Sequence, residues 1–302
     1  MGSENVERIL DALGGAWSLM GYLHITNLYQ NIDIMQFKEC YALEKIHGTS
    51  AHIKWKDGEV VYFSGGEKHD NFVGLFDTEE LKNKFKEIFD CDVVIYGEAY
   101  GGKQQGMSDT YGKDLKFVVF DVSVNKIWLD VPSAENVANK LGLEFVHYVK
   151  IPTELKVIDT ERDAPSMHSV RNGIEEPKMR EGVVLRPLVE LIKSNGQRVI
   201  SKHKRDEFRE TKTKREVCPE KLRILEGARE IADEWVTPNR IKNIFSHIKE
   251  EEKIIENMGN LIKKVIEDIE REAVGEIIIN NNVRKAISNK SVKLIKNKLS
   301  KI

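Results

Sequence analysis

Up to about residue 215 the chain alternates short apolar runs with breaks at Gly and Asp, a β-rich texture. His52-Ile53-Lys54-Trp55 and Val60-Val61-Tyr62-Phe63 flank Lys56-Asp57-Gly58-Glu59, so a hairpin with an Asp-Gly turn is predicted. Val93-Val94-Ile95-Tyr96, Phe117-Val118-Val119-Phe120, Val183-Val184-Leu185 and Val199-Ile200-Ser201 are compact runs suited to buried strands. Thr78 to Phe89 and Ser133 to Leu141 read as helices between them.

From about Pro219 the period changes to that of a helix. Ile241, Ile244, Phe245 and Ile248 form one stripe, with Thr237-Pro238 as a capped start. Ile254, Ile255, Met258, Leu261, Ile262, Val265, Ile266 and Ile269 form a second, on a longer helix. Such stripes are core packing. The expected architecture is α+β: a domain of antiparallel sheets with flanking helices over 1–215, then a smaller all-α domain over 216–302.

Composition narrows the class. A chain of 302 residues, 40% hydrophobic, is long enough to bury a sizeable core. The net charge of -2 excludes a uniformly basic nucleic-acid binder but leaves room for a local basic surface. The end of the chain offers one: Arg284, Lys285, Lys290, Lys293, Lys296, Lys298 and Lys301 occur with no acidic residue among them. A solvated helix face and a phosphate-contacting face both explain that stretch. Cys40, Cys91 and Cys218 lack C-x-x-C spacing, so neither a zinc site nor a disulfide framework is indicated. No apolar run reaches the roughly 18 residues of a membrane helix. The start has no secretory pattern, and Val6 does not suit myristoylation. A soluble, cytoplasmic protein is expected.

The chemistry concentrates in Glu44-Lys45-Ile46-His47-Gly48-Thr49-Ser50. A lysine attacks a phosphorus only when unprotonated, and free lysine has a pKa of about 10.4, so such a site must lower it. Gly48 lets the backbone approach a nucleotide closely. Alone, a K-x-H-G string is better read as an exposed turn lysine. Four further pieces follow in order. Tyr96-Gly97-Glu98 places a carboxylate at a strand exit, and Phe117 to Asp121 ends a strand in an aromatic and an acid. Glu181-Gly182-Val183-Val184-Leu185-Arg186 sets a carboxylate before a strand. In Ser201-Lys202-His203-Lys204, Lys202 and Lys204 share one strand face. Two ammonium groups side by side are costly unless they meet an anion such as a triphosphate.

This order resembles that of the covalent nucleotidyltransferases, the superfamily of ATP-dependent ligases and mRNA capping enzymes. The resemblance covers roughly Tyr41 to Lys204. A His in place of the usual Asp of the first motif, preceded by Glu, is similar to the nick-sealing RNA ligase 2 branch, and the helical tail suits that branch. By motif match, Lys45 is the nucleophile that becomes lysine–AMP, Glu44 recognises the adenine edge and His47 acts on the triphosphate side. Glu98 is implied to bind the ribose hydroxyl, Phe120 to stack on adenine, and Lys202 and Lys204 to contact the α-phosphate. Glu181, through water, and Glu98 are the implied metal-binding carboxylates. The implied co-substrate is ATP, with Mg²⁺ or Mn²⁺. The implied partner is RNA with 3′-OH and 5′-phosphate ends, nicked duplexes included, with no membrane and no obligate protein partner.

Two departures bear on substrate. The branch has an Arg before a Ser/Thr-Gly pair, where this chain has Tyr62-Phe63-Ser64-Gly65-Gly66; Lys68 and His69 are candidates to replace it. Ser50 stands where Asn is common. The rivals are a DNA ligase or a GTP-dependent capping-type enzyme, both of which should carry a β-rich OB-fold in the tail, and a catalytically inactive RNA-end-binding protein. Gly101 to Gly106 lacks P-loop spacing and reads as a substrate-side loop, Arg205 to Arg215 as a linker. His147, His168 and His247 read as structural or surface histidines.

Overall fold

The computed structural model describes residues 21–176, 178–193, 195–209, 213 and 215–299, and of Glu250 only the backbone. The N-terminal start with Val6, part of the Arg205 to Arg215 linker and the terminal Lys301 lie outside the described residues.

Strand β1 (Glu39–Lys45) precedes the expected hairpin of β2 (Thr49–Lys56) and β3 (Glu59–Phe63). Lys56 pairs with Glu59, leaving Asp57 and Gly58 as a two-residue turn at φ 53 and 78. Positive φ at both positions is what a hairpin turn matched to strand twist demands. Helices α1 (His69–Val73) and α2 (Thr78–Ile88) follow, the latter capped by Asp77, which accepts from the Glu80 N–H at 3.0 Å.

Strands β4 (Val93–Gly101), β5 (Leu115–Val124) and β6 (Ile127–Trp128) complete a five-stranded antiparallel sheet in the order β3-β2-β4-β5-β6. Both β4 and β5 run past their apolar cores. Glu98 and Asp121 therefore lie inside strands, not at strand exits as expected, because neighbouring strands keep pairing beyond them. Between β4 and β5 stands α3 (Ser108–Tyr111), and α4 (Val131–Leu141) packs on β5.

A β-bulge interrupts the β4–β5 ladder: Tyr96 pairs with Asp121 and Gly97 with Val119, so Phe120 is the extra residue. Gly97 allows the close approach, since a Cβ there would stand 2.3 Å from the Val118 carbonyl oxygen.

A four-stranded sheet has the order β7-β1-β8-β9, with β7 Tyr148–Pro152, β8 Gly182–Pro187 and β9 Ser201–Lys204. Val199 and Ile200 precede β9 instead of starting it. Short helices α5 (Leu155–Arg162) and α6 (Met167–Arg171) lie between β7 and β8.

The remainder is helical: α7 (Pro219–Trp235), α8 (Pro238–Ser246), α9 (Met258–Glu272) and α10 (Asn281–Leu299). Thr237 caps α8 by accepting from the Arg240 N–H at 3.1 Å. Ile241, Phe245, Leu261, Val265, Ile269 and Ile287 meet in one core. Ile254 and Ile255 do not join it. A 3-10 turn at Ile255–Asn257 breaks the expected longer helix and leaves both exposed. No helix among the described residues is long and apolar enough to cross a membrane. The cysteines are free thiols.

By compactness the chain divides into two units. The first comprises the described residues up to Ile25 with Ala42–Val149 and Thr160–Val184; the second comprises Thr26–Tyr41, Lys150–Asp159 and Leu185 onward. The cluster of Lys45, His47, Glu98 and Glu181 described next is built within the first.

Candidate active site

Lys45 is the last residue of β1, and its Nζ stands 3.0 Å from Glu181 Oε2. His47 Nδ1 lies 3.1 Å from the same oxygen. Glu181 is 1% exposed, whereas the Lys45 and His47 side chains are 22% and 31% exposed. One buried carboxylate thus orients two partly open basic groups. Burying an anion is tolerable only when it is paired, and Glu181 is paired from the chain segment that carries the candidate nucleophile.

Glycine closes the third side. The Gly48 N–H donates to Glu98 Oε1 at 3.1 Å. A Cβ at Gly48 would lie 2.3 Å from the Ala99 carbonyl oxygen, so only glycine fits. Burial pushes the Glu98 carboxyl up to about 7; Lys45 and the Gly48 N–H pull the other way, and Glu181 adds to the rise. The His47 N–H reaches the hydroxyl of buried Tyr111 at 3.3 Å, and burial raises the pKa of that phenol. Lys45, His47, Glu98 and Glu181 therefore form one cluster.

Glu44 points elsewhere. Its carboxylate accepts from Ser166 Oγ at 2.5 Å and from the Met167 N–H at 2.9 Å. Ser166 Oγ also accepts from the Ser169 N–H at 3.0 Å, capping α6. Ser166 and Tyr111 were absent from the sequence expectation. Only the Ser166-Met167-His168-Ser169 capping pattern hinted at the first, and nothing local hinted at the second.

Phe120, in the bulge, belongs to an aromatic group. Tyr22 meets it edge-on at 4.8 Å, meets Tyr96 at 5.2 Å, and donates its hydroxyl to buried Asp121 at 2.6 Å. Tyr22 was likewise not foreseen. A bulge re-aims a side chain out of the strict alternation, and residues used for binding favour that position.

Lys202 and Lys204 lie on β9 in the second unit, both half-buried. Backbone bonds with Thr26 and Leu28 fix Lys202, while His203, on the opposite face, pairs with Asp159 at 2.7 Å. Ser50 Oγ is buried, on the β2 residue that pairs with Glu98. Lys68 and His69 start α1 and are exposed. Gln104, in a 3-10 turn of the 101–106 segment, donates its amide to Glu67. His168 is a structural histidine: its Nε2 accepts from the His147 N–H at 3.1 Å, and Nδ1 faces Glu144 at 3.3 Å.

No group of three or more His, Cys, Asp or Glu among the described residues could by itself hold a metal ion. Glu181, buried, and Glu98, half-buried, are, however, two carboxylates within electrostatic reach of each other. That donor set fits Mg²⁺ or Mn²⁺ bound by one or two carboxylates, with substrate phosphates and water as the remaining ligands.

The RNA ligase profile matches residues 38–204. The chain belongs to the RNA ligase family. Among solved structures it is similar to a variant of Naegleria gruberi RNA ligase with AMP and Mn, at 14% identity and TM-score 0.49. A second variant with ATP and Mn matches at 15% identity and TM-score 0.49, and the enzyme with PPi at 16% and 0.48. Each match covers 63% of this chain and 57% of the other. No curated protein matches the chain.

Proposed function

We propose that this protein is an ATP-dependent RNA ligase that joins 3′-OH and 5′-phosphate ends through lysine–AMP and RNA-adenylate intermediates. The observation that carries it is the sharing of the buried Glu181 carboxylate by Lys45 and His47. In the first step the Lys45 amine forms a bond to the α-phosphorus of ATP, and the bond to the pyrophosphate oxygen breaks. The amine must first lose its proton, and Glu181 Oε2 is within range to accept it. A divalent cation bound with ATP supplies neutralisation of the phosphate charge. In the second step AMP passes to the 5′-phosphate of an RNA end. In the third the 3′-OH attacks that phosphate and AMP leaves.

Glu98, held by the Gly48 N–H, is assigned to the ribose hydroxyl or the metal, and Phe120 to the adenine face. Glu44 is assigned to the adenine edge from its fixed place at the start of α6, where each oxygen keeps a further lone pair for a donor. Lys202 and Lys204 are assigned to the α-phosphate. The all-helical stretch from Pro219 to Leu299 favours an RNA ligase over a DNA ligase or capping enzyme, whose tails should be β-rich.

The decisive experiment incubates the protein with Mg²⁺ or Mn²⁺ and ATP, or GTP, labelled at the α-phosphate. Label should pass to the protein from ATP alone. Lys45→Ala and Lys45→Arg should both abolish transfer, since a guanidinium stays protonated and is a poor nucleophile. Labelling of Lys45→Ala at the wild-type level would remove the proposal.

A further inference from the structure

The second unit contains a cavity of about 130 Å³, bounded by Gln36–Glu39, Leu188–Leu191, α7 and α10. Its floor is apolar, from Phe37, Leu188, Val189, Leu191 and Val292. Its rim carries four cations, Lys38, Arg229, Lys290 and Lys293.

The acids nearby do not balance that rim. Asp233 pairs with Lys290 at 2.7 Å and also with Lys38. Glu39 is taken by Lys150 at 2.9 Å. Arg229 spends one N–H on the Phe37 carbonyl at 3.1 Å and forms no ion pair among the described residues. A guanidinium has five N–H donors, so most of them stay available. Lys293 is exposed and has no ion pair among the described residues. An apolar floor beneath two unspent cations calls for a ligand with a flat apolar part and a negative one. An apolar cavity of roughly 150 Å³ accommodates a benzene-sized ring, so a single base fits in part or whole.

We propose that this cavity seats one nucleotide of the RNA substrate, its base against the apolar floor and its phosphate on Arg229 and Lys293. This rests on the ligase reading for the identity of the polymer. None of the residues that line the cavity is assigned to the nucleotide site, so it acts on RNA affinity and leaves nucleotide transfer to Lys45 unchanged.

The test measures binding of fluorescently labelled RNA by anisotropy across a salt series, with the full chain. Lys293→Gln and Arg229→Gln each remove one charge. Val189→Trp fills the floor and leaves every charge in place. Each should weaken RNA binding by roughly tenfold, the scale of removing one base-stacking or phosphate interaction. The two charge variants should also flatten the salt dependence by about one counterion each, whereas Val189→Trp should leave the slope unchanged. Lysine–AMP formation should match wild type in all three, and an unchanged far-ultraviolet circular dichroism spectrum and urea midpoint report that they fold.

Wild-type affinity and slope in all three variants would overturn the proposal, as would a wild-type protein that binds no RNA. Loss of RNA binding only in Val189→Trp, with both charge variants at wild-type affinity and slope, would remove the phosphate from Arg229 and Lys293 and overturn the nucleotide assignment. If wild type binds RNA and loses it in the variants yet forms no lysine–AMP, the ligase reading falls and the cavity assignment stands.

Discussion

Lysine does different work in the two regions. In the first unit Lys45 faces a fully buried carboxylate and shares it with His47. On α10, Lys285 and Lys290 lie against Asp33 and Asp233, and each of those acids holds a second lysine as well: Lys193 for Asp33, Lys38 for Asp233. Arg284 pairs with Glu270. The first half of the basic tail is therefore engaged in ion pairs, and among the described residues its cations without an ion pair begin at Lys293. A count of basic residues cannot show this, because the matching acids come from distant parts of the chain. The chemistry of a lysine is set by what faces it.

The largest effect should come from removing the shared charge. Glu181→Gln keeps the size of the side chain and one acceptor oxygen but leaves Lys45 and His47 without their anion. Lysine–AMP formation should fall by about a hundredfold or more, with the far-ultraviolet spectrum unchanged. Adenylylation within a few-fold of wild type would mean that Lys45 is oriented by something else.

Glycines sharpen the same contrast. At Gly48 an added Cβ meets the Ala99 carbonyl oxygen at 2.3 Å and Glu98 Cγ at 3.0 Å. Gly48→Ala should cost about 2–3 kcal/mol in urea denaturation, and it should slow adenylylation by displacing the Glu98 bond. At Gly227, inside α7, nothing lies within 4 Å of an added Cβ. Gly227→Ala should stabilise by about 0.5–1 kcal/mol. Equal costs at both positions would erase the distinction between a tight site and a permissive helix.

The tail divides next. Charge reversal of Lys293 and Lys296 should weaken RNA binding and flatten its salt slope by about 0.7–0.9 for each phosphate no longer neutralised. Lys298 sits over the Phe245 ring at 5.6 Å, so its reversal carries a packing cost too. Lys285→Ala and Lys290→Ala should instead lower stability by about 1 kcal/mol and leave the salt slope near wild type. RNA affinities falling equally in both pairs would show the whole helix to be a nucleic-acid face. Cutting the chain after Arg215 is a poorer test, because the second unit also includes Thr26–Tyr41 and Lys150–Asp159.

That Lys45, His47 and Glu181 lie together could be read ahead because each sits in a short motif at a strand boundary. The hairpin and α8 were legible from an Asp-Gly turn and a Thr-Pro cap, which are local devices. Glu98 was found as a residue but misplaced, since continuation of β4 depends on pairing with both β2 and β5. The bulge at Phe120 follows from inter-strand register, which no single run of residues encodes. The partners of Glu44 lie more than a hundred positions away, and so were invisible to spacing. Ile254 and Ile255 continued an apolar period without continuing the helix, because a 3-10 turn breaks the run before Met258.

A pH dependence is also expected in the first unit's sheet. His52 lies on β2, buried, stacked on Phe63 at 4.8 Å and tilted against Tyr96 at 5.6 Å. Burial lowers its pKa to about 4, with Lys54 adding to the fall. An unfolded histidine takes its proton near a pH of about 6.5. Between those values the unfolded chain binds a proton that the folded chain refuses, so stability falls as the pH drops from about 6.5 toward 4. The loss should be on the order of 1–2 kcal/mol by pH 5. His52→Phe keeps a ring in the stack and removes the proton. Its urea midpoint should therefore decline less than wild type between pH 7 and 5, whatever other groups contribute to both proteins. Parallel declines would mean that His52 accepts its proton in the folded sheet, and that the stack is open enough to let water reach it.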